Sequence, residues 1–216
     1  LKLADFVTLL NALCGTGAIL LLLNEFTYIA PILVLIGAVA DGLDGHIARC
    51  ISSSAIGDNL DSLADVVSFG LAPIVILYSF NGEKGAYLLA AALCFYFLCG
   101  LLRLARFNTV QTRFSSFSGL PITAGGIILS AYVLMGEAYF NKYVAAILLL
   151  IAGLLMISNI TYQKSRDTKT LSVIALVFMA IIASFVLQPI YMHYFAIILM
   201  TLMTIYVISP VTKRTT

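Results

Sequence analysis

DGLDGHIARCISSSAIGDNLDSLAD, residues Asp41 to Asp65, sets five carboxylates into sequence that is otherwise apolar enough for the interior of a bilayer. One charged side chain at mid-membrane depth costs about 2.5–3.5 kcal/mol on insertion scales, so a cluster of them calls for compensation. Bound divalent metal is the simplest form it can take.

The rest of the chain fits that setting. Its 216 residues are 62% hydrophobic and only 10% charged, with a mean hydropathy of +1.06, which excludes an ordinary soluble domain. Eight apolar stretches stand at about 5–23, 27–50, 56–80, 85–106, 120–136, 141–159, 169–187 and 190–209. Most approach the ~20 residues that a spanning helix needs. The expected fold is an all-α polytopic membrane protein, a bundle of about eight transmembrane helices forming one integral domain over 1–216, with the acidic hairpin inside 27–80.

Basic residues then set the expected orientation, because cytoplasmic loops carry the positive excess. With the N-terminus inside, Lys2, Arg49, Arg103, Arg106, Arg113, Lys164, Arg166, Lys169, Lys213 and Arg214 fall on the cytoplasmic side, and Lys84 and Lys142 outside. Both termini come out cytoplasmic. Lys164, Arg166 and Lys169 read most simply as an anchor to anionic headgroups. The four cysteines, Cys14, Cys50, Cys94 and Cys99, form no CxxC or Cys/His pair and are expected as free thiols. The first span holds Asp5 and lacks a small-residue cleavage site, so it is read as a helix rather than a signal peptide.

Helix by helix, polar residues gather toward one end. Asp5, Thr8 and Asn11 share a face of the first helix, where they either line a site or are satisfied by headgroups and neighbouring helices. Pro31, Pro121 and Pro189 sit in first turns and Pro210 at a helix end, whereas Pro73 lies inside the third helix and, with Gly70, predicts a bend there. The second helix delivers Asp41, Asp44 and Gly45 on one face. After a serine loop, Ser52 to Ser54, the third presents Gly57, Asp61 and Asp65 on one stripe. An antiparallel hairpin therefore sets the two carboxylate pairs face to face.

Carboxylates ~6 Å apart repel by roughly 3 kcal/mol at an effective dielectric of about 20, so four cannot all stay ionised without cations. Oxygen-only ligands favour Mg²⁺ or Mn²⁺, and a pair of such ions is the usual clamp for displacement at phosphorus. Gly45, Ala48 and Gly57 remove bulk beside the acids. Arg49 is placed to bind phosphate bidentately, or else serves as a positive-inside anchor. Asp58 is expected to face solvent, His46 to be interfacial, and His193 to lie at the opposite membrane face.

The order Asp41, Asp44, Gly45, Ala48, Arg49, then Gly57, Asp61, Asp65 resembles the signature of the CDP-alcohol phosphotransferase family, D-x-x-D-G-x-x-A-R followed by G-x-x-x-D-x-x-x-D. Seven residues separate Arg49 from Gly57 where about eight are expected, a difference that falls in the serine loop. The resemblance implies displacement of CMP from a CDP-linked lipid by an alcohol with two divalent cations, Mg²⁺ or Mn²⁺. It makes Asp41, Asp44, Asp61 and Asp65 metal ligands and Asp65 also the base for the alcohol. It places Gly45, Ala48, Arg49 and Gly57, with Asp41, Asp44, Asp61 and Thr8, at the CDP site, and implies a homodimer in the cell membrane with no nucleic-acid partner.

A narrower resemblance covers the run DSLADVVSFGLAP from Asp61 to Pro73, LRLARFN from Leu102 to Asn108 and FSGLP from Phe117 to Pro121. These are similar to the phosphatidylserine synthase branch and imply L-serine as acceptor. A zwitterionic amino acid needs a cation for its carboxylate, and Arg103 with Arg106 stand at i, i+3. Arg113, Asn108 and Ser118 are further candidates. Positive-inside anchoring accounts for the arginines equally well.

Three rivals remain. One is the same family with glycerol phosphate or an inositol phosphate as acceptor. A prenyltransferase would need a second aspartate-rich motif, and beyond Asp65 only Asp167 remains. A cation transporter would place its acids near the midplane, and Gly45, Ala48 and Arg49 would have no evident role in it.

Overall fold

The computed structural model describes residues 2–24, 27–51, 56–81, 87–110, 119–160, 162 and 168–212, with the backbone alone at 46–51, 110, 168–175, 189 and 211–212. Within them the chain is helical. Eight helices run α1 (Leu3–Leu22), α2 (Ile29–Ile51), α3 (Gly57–Asn81), α4 (Tyr87–Val110), α5 (Ile122–Leu134), α6 (Lys142–Ile157), α7 (Thr168–Leu187) and α8 (Pro189–Thr212), with a 3₁₀ turn at Glu137–Tyr139. Each falls within a few residues of an apolar stretch.

Among the described residues, four segments are long and apolar enough to cross a membrane: Leu3–Leu22, Gly57–Asn81, Tyr87–Thr109 and Ile190–Pro210. Large apolar side chains remain on the outside of these helices, among them Leu10, Leu13 and Leu20 of α1 and Leu98 and Leu102 of α4. Such a surface suits a solvent of lipid tails rather than water.

The centre of the bundle is α5. Every residue of it except Thr123 is buried, and it touches α2, α3, α4, α6 and α8. Its 13 residues rise only about 20 Å, short of the ~30 Å hydrocarbon core. Small residues allow this enclosure: Ala124, Gly125, Gly126 and Ala131 let neighbouring backbones come close.

Around that centre α1 lies along α2 and against α3. A Cβ at Gly15 would come 2.6 Å from the Ser68 Cα, so the small residue sets how near α1 and α3 can approach. At the same crossing the Ser68 hydroxyl donates to the Asn11 carbonyl at 2.8 Å.

The irregularity expected at Pro73 takes a definite form. Residues Val66–Leu71 are a π-helical segment beginning immediately after Asp65, and the Ala72 N–H donates to Val67 O, five residues back. Pro210 lies inside α8, which continues to Thr212 rather than stopping beside it. Cys14, Cys94 and Cys99 are free thiols, as expected, while the side chain of Cys50 lies outside the described set.

Candidate active site

Helix α2 and the first turns of α3, both packed against α1, bring their acids together. One carboxylate oxygen from each of Asp41, Asp44 and Asp61 lies within 4.8 Å of the others. At such spacing each pair of unit charges repels by about 3 kcal/mol at an effective dielectric of about 20. Asp65, one turn beyond Asp61, is 6% exposed and near enough to Asp41 and Asp61 for their charges to act on it. Asp58 is exposed and outside the triad, in keeping with a solvent-facing charge.

Neutral donors from two other helices hold three of these acids. Thr8 donates to Asp44 Oδ2 at 2.7 Å, Asn11 Nδ2 faces Asp65 Oδ1 at 3.5 Å, and Thr123 donates to Asp41 Oδ2 at 3.1 Å. The polar face of α1 thus belongs to the site. Its third member, buried Asp5, accepts from the Lys2 N–H at 2.6 Å, at the helix start.

Asp61 is different. Its Oδ1 is buried and has no hydrogen-bond partner. A buried oxygen left bare in a cluster of acids is a site that a cation would complete, and the all-oxygen donor set suits Mg²⁺ or Mn²⁺. The residues present therefore fit a divalent ion.

Positive charge comes from α4. Arg103 is half-buried, and its charge acts on Asp65, Asp41 and Asp61, while its guanidinium lies 5.5 Å from the Phe107 ring centroid. Arg106 turns elsewhere: it is exposed, and its Nη1 donates to Ile157 O at 3.0 Å, tying α4 to the end of α6. Asn108 Oδ1 accepts from the Ser62 hydroxyl at 2.9 Å, which links α4 to the acidic hairpin.

Thr123 owes its place to the turn before α5. Gly119 has φ +89°, a left-handed conformation that favours glycine, and its N–H donates to Ile160 O at 2.8 Å while Leu120 N–H donates to Leu155 O at 3.0 Å. These bonds fix the start of α5 to the end of α6. A Cβ at Gly45 would meet no described atom within 4 Å, so packing does not require the glycine there.

The side chains of Ala48, Arg49 and His46, together with Arg113 and Ser118, lie outside the described residues. Gly57 opens α3 and is half-buried. His193 is remote from the acids: its Nδ1 is 2.8 Å from Leu134 O, at the far end of α5 from Thr123. Thr123 carries no signal in the sequence beyond being a polar residue in an apolar run, and Ser62 and Ser68 stand out only as members of the stretch Asp61 to Pro73. Only the distance between helices, set by the fold, shows their partners.

Comparison with known proteins agrees with this geometry. The family model for CDP-alcohol phosphatidyltransferase matches residues 1–159. A CDP-diacylglycerol–serine O-phosphatidyltransferase of Methanocaldococcus jannaschii is 41% identical over 165 residues, spanning 76% of this chain and 75% of that one. An archaetidylserine synthase of Methanothermobacter thermautotrophicus is 36% identical over 167 residues, 76% and 70% of the respective chains. A CDP-diacylglycerol–serine O-phosphatidyltransferase of Bacillus subtilis is 34% identical over 157 residues, 72% and 86%. With the acidic hairpin assembled and the family model covering α1 to α6, the chain belongs to the CDP-alcohol phosphatidyltransferase family.

Proposed function

We propose that the protein transfers a phosphatidyl or archaetidyl group from a CDP-linked lipid to L-serine and releases CMP. The observation that carries this reading is the convergence of Asp41, Asp44 and Asp61 within 4.8 Å around a bare, buried Asp61 oxygen, in a chain akin to serine-transferring enzymes.

Asp41, Asp44, Asp61 and Asp65 would hold two divalent cations, Mg²⁺ or Mn²⁺. When bound, such ions offset the charge of a pyrophosphate and polarise its phosphoryl oxygens. Gly45, Ala48, Arg49 and Gly57 give the CDP moiety room and a cation along the hairpin, and Thr8 orients Asp44 beneath it. Asn11 holds one oxygen of Asp65, and the other receives the proton of the serine hydroxyl. The serine oxygen then bonds to the lipid-side phosphorus as that phosphorus parts from the CMP oxygen, and CMP carries away the electron pair. Arg103 faces the serine carboxylate, with Asn108 on the same helix; Arg113 and Ser118 are further serine-binding candidates on sequence grounds, and Arg106, engaged with Ile157 O, is set aside.

The hairpin within 27–80 is the catalytic part of one integral domain. Eight spans with both termini in the cytoplasm would open the site to water-soluble serine and CMP while the donor's chains stay in lipid. A homodimer in the cell membrane is part of the same reading.

The test is CMP release by purified protein given a CDP-linked lipid and Mg²⁺ or Mn²⁺, with and without L-serine, beside an Asp65→Asn control. Serine-dependent release that vanishes in the control supports both the reaction and the base. Release only with glycerol phosphate or an inositol phosphate sinks the serine assignment, and cation flux in vesicles without any release sinks the transferase.

A further inference from the structure

Tyr96 lies in the middle of α4, fully buried, and its hydroxyl donates to Phe69 O at 2.9 Å. Pro73 has no N–H, so the helix's own ladder is broken where the π turn hands over to the α-helix: the missing bond falls on Ser68 in the π register and on Phe69, four residues back, in the α register. The tyrosine of a neighbouring helix supplies a donor to the Phe69 carbonyl at this break. In an apolar interior this matters, because an unpaired backbone carbonyl has no water to turn to.

The place of this bond gives it a role beyond stability. Asp61, Asp65, Phe69, Pro73 and Leu77 are spaced four apart, and all are buried or half-buried on the inner side of α3. On a regular α-helix each step of four drifts by about 40°, so five such residues would wind about 160° around the axis. A wider π turn winds the other way over the same step and keeps the stripe together. That turn spans Val66–Leu71, starting at the residue after Asp65, and Phe69 is inside it.

We infer that Tyr96 is a positioning residue: by bonding the Phe69 carbonyl it fixes the π turn and thereby the direction in which Asp65 faces Asp41 and Arg103. The site around it is shaped for the hydroxyl. A Cβ at Gly125 would lie 2.7 Å from the Tyr96 oxygen, and one at Gly126 would lie 2.9 Å from Phe69 Cβ, so α5 leaves space for both partners. The inference rests on the role proposed for Asp65, since it acts through that carboxylate.

Four proteins test it: wild type, Tyr96→Phe, Pro73→Ala and the double variant, each assayed for serine-dependent CMP release and for thermal midpoint. Tyr96→Phe keeps the ring and is expected to lower kcat about 10-fold with the KM for serine and for the CDP-lipid within twofold. Pro73→Ala restores an N–H one turn beyond Phe69, so in that background the same substitution is expected to cost less than twofold. Equal costs in both backgrounds, an unchanged kcat, or a loss confined to KM overturns the inference. If the wild type releases no CMP with serine, the functional reading fails on its own. The thermal midpoints then decide the bond: non-additive shifts keep it, and additive ones remove it.

Discussion

Thr123 donates its hydroxyl to Asp41 Oδ2 at 3.1 Å, across 82 positions of sequence, and so fastens the first acid of the α2 hairpin to the central helix. Partners of metal-ligating groups commonly carry 10- to 100-fold of metal affinity or activity. Thr123→Val keeps the shape and removes the donor. The cation concentration for half-maximal activity is expected to rise about 10-fold, with Thr123→Ser close to wild type. Titrating Mg²⁺ against CMP release checks this, and an unshifted titration in the valine variant would show that Asp41 needs no such support.

Gly119 carries the same link from the other side. Its positive φ costs a side chain about 1–2 kcal/mol, and the Met156 carbonyl occupies the place a Cβ would take. Gly119→Ala is expected to lower stability by about 2 kcal/mol or more and to displace Thr123 from Asp41. Its cation titration should therefore shift in the same sense as that of Thr123→Val. Thermal unfolding in detergent reads the first effect, and a variant with an unchanged midpoint would mean that the turn tolerates another conformation.

Arg103 and Arg106 look equivalent in the sequence, one turn apart on α4. In the structure Arg103 acts on Asp65, Asp41 and Asp61, while Arg106 donates to Ile157 O. Arg103→Lys keeps the charge but loses the planar fork that pairs with a carboxylate. The expected outcome is a KM for serine raised about 10-fold with little change in the KM for the lipid donor. Arg106→Lys should leave both within about twofold, and the reverse ranking would exchange their roles.

What could be read from sequence here follows from range. The hairpin acids were legible because Asp41 and Asp44, and then Asp61 and Asp65, repeat at helical spacing on either side of a short loop, and local periodicity alone puts each pair on one face. The apolar stretches located all eight helices for a similar reason. Thr123 and Tyr96 were not legible. Each is one polar group in an apolar run, and its partner is fixed by how α5 and α4 pack against distant helices. Pro73 announced an irregularity, but its form depends on Tyr96, 27 positions from the carbonyl it serves.

Asp61 sets stability against activity. Its buried Oδ1 has no partner, and two other carboxylates have oxygens within 4.8 Å, so without a cation its charge is opposed from two sides. Asp61→Asn removes that charge while keeping the shape. In chelator it is expected to unfold at a higher temperature than wild type, by an amount reflecting up to about 3 kcal/mol of relieved repulsion for each of the two neighbouring carboxylates. Adding Mg²⁺ or Mn²⁺ reverses the order: a ligand at about 100 times its Kd stabilises the form that binds it by about 2.7 kcal/mol, and the wild type alone gains this in full. Its midpoint should rise with cation while that of Asp61→Asn stays nearly flat, and the variant should lose at least about 100-fold in CMP release. Thermal scans of both proteins in chelator and in cation, beside the activity assay, measure all three effects. A wild type indifferent to cation, or an active Asp61→Asn, would show that this carboxylate is buried for some reason other than holding metal.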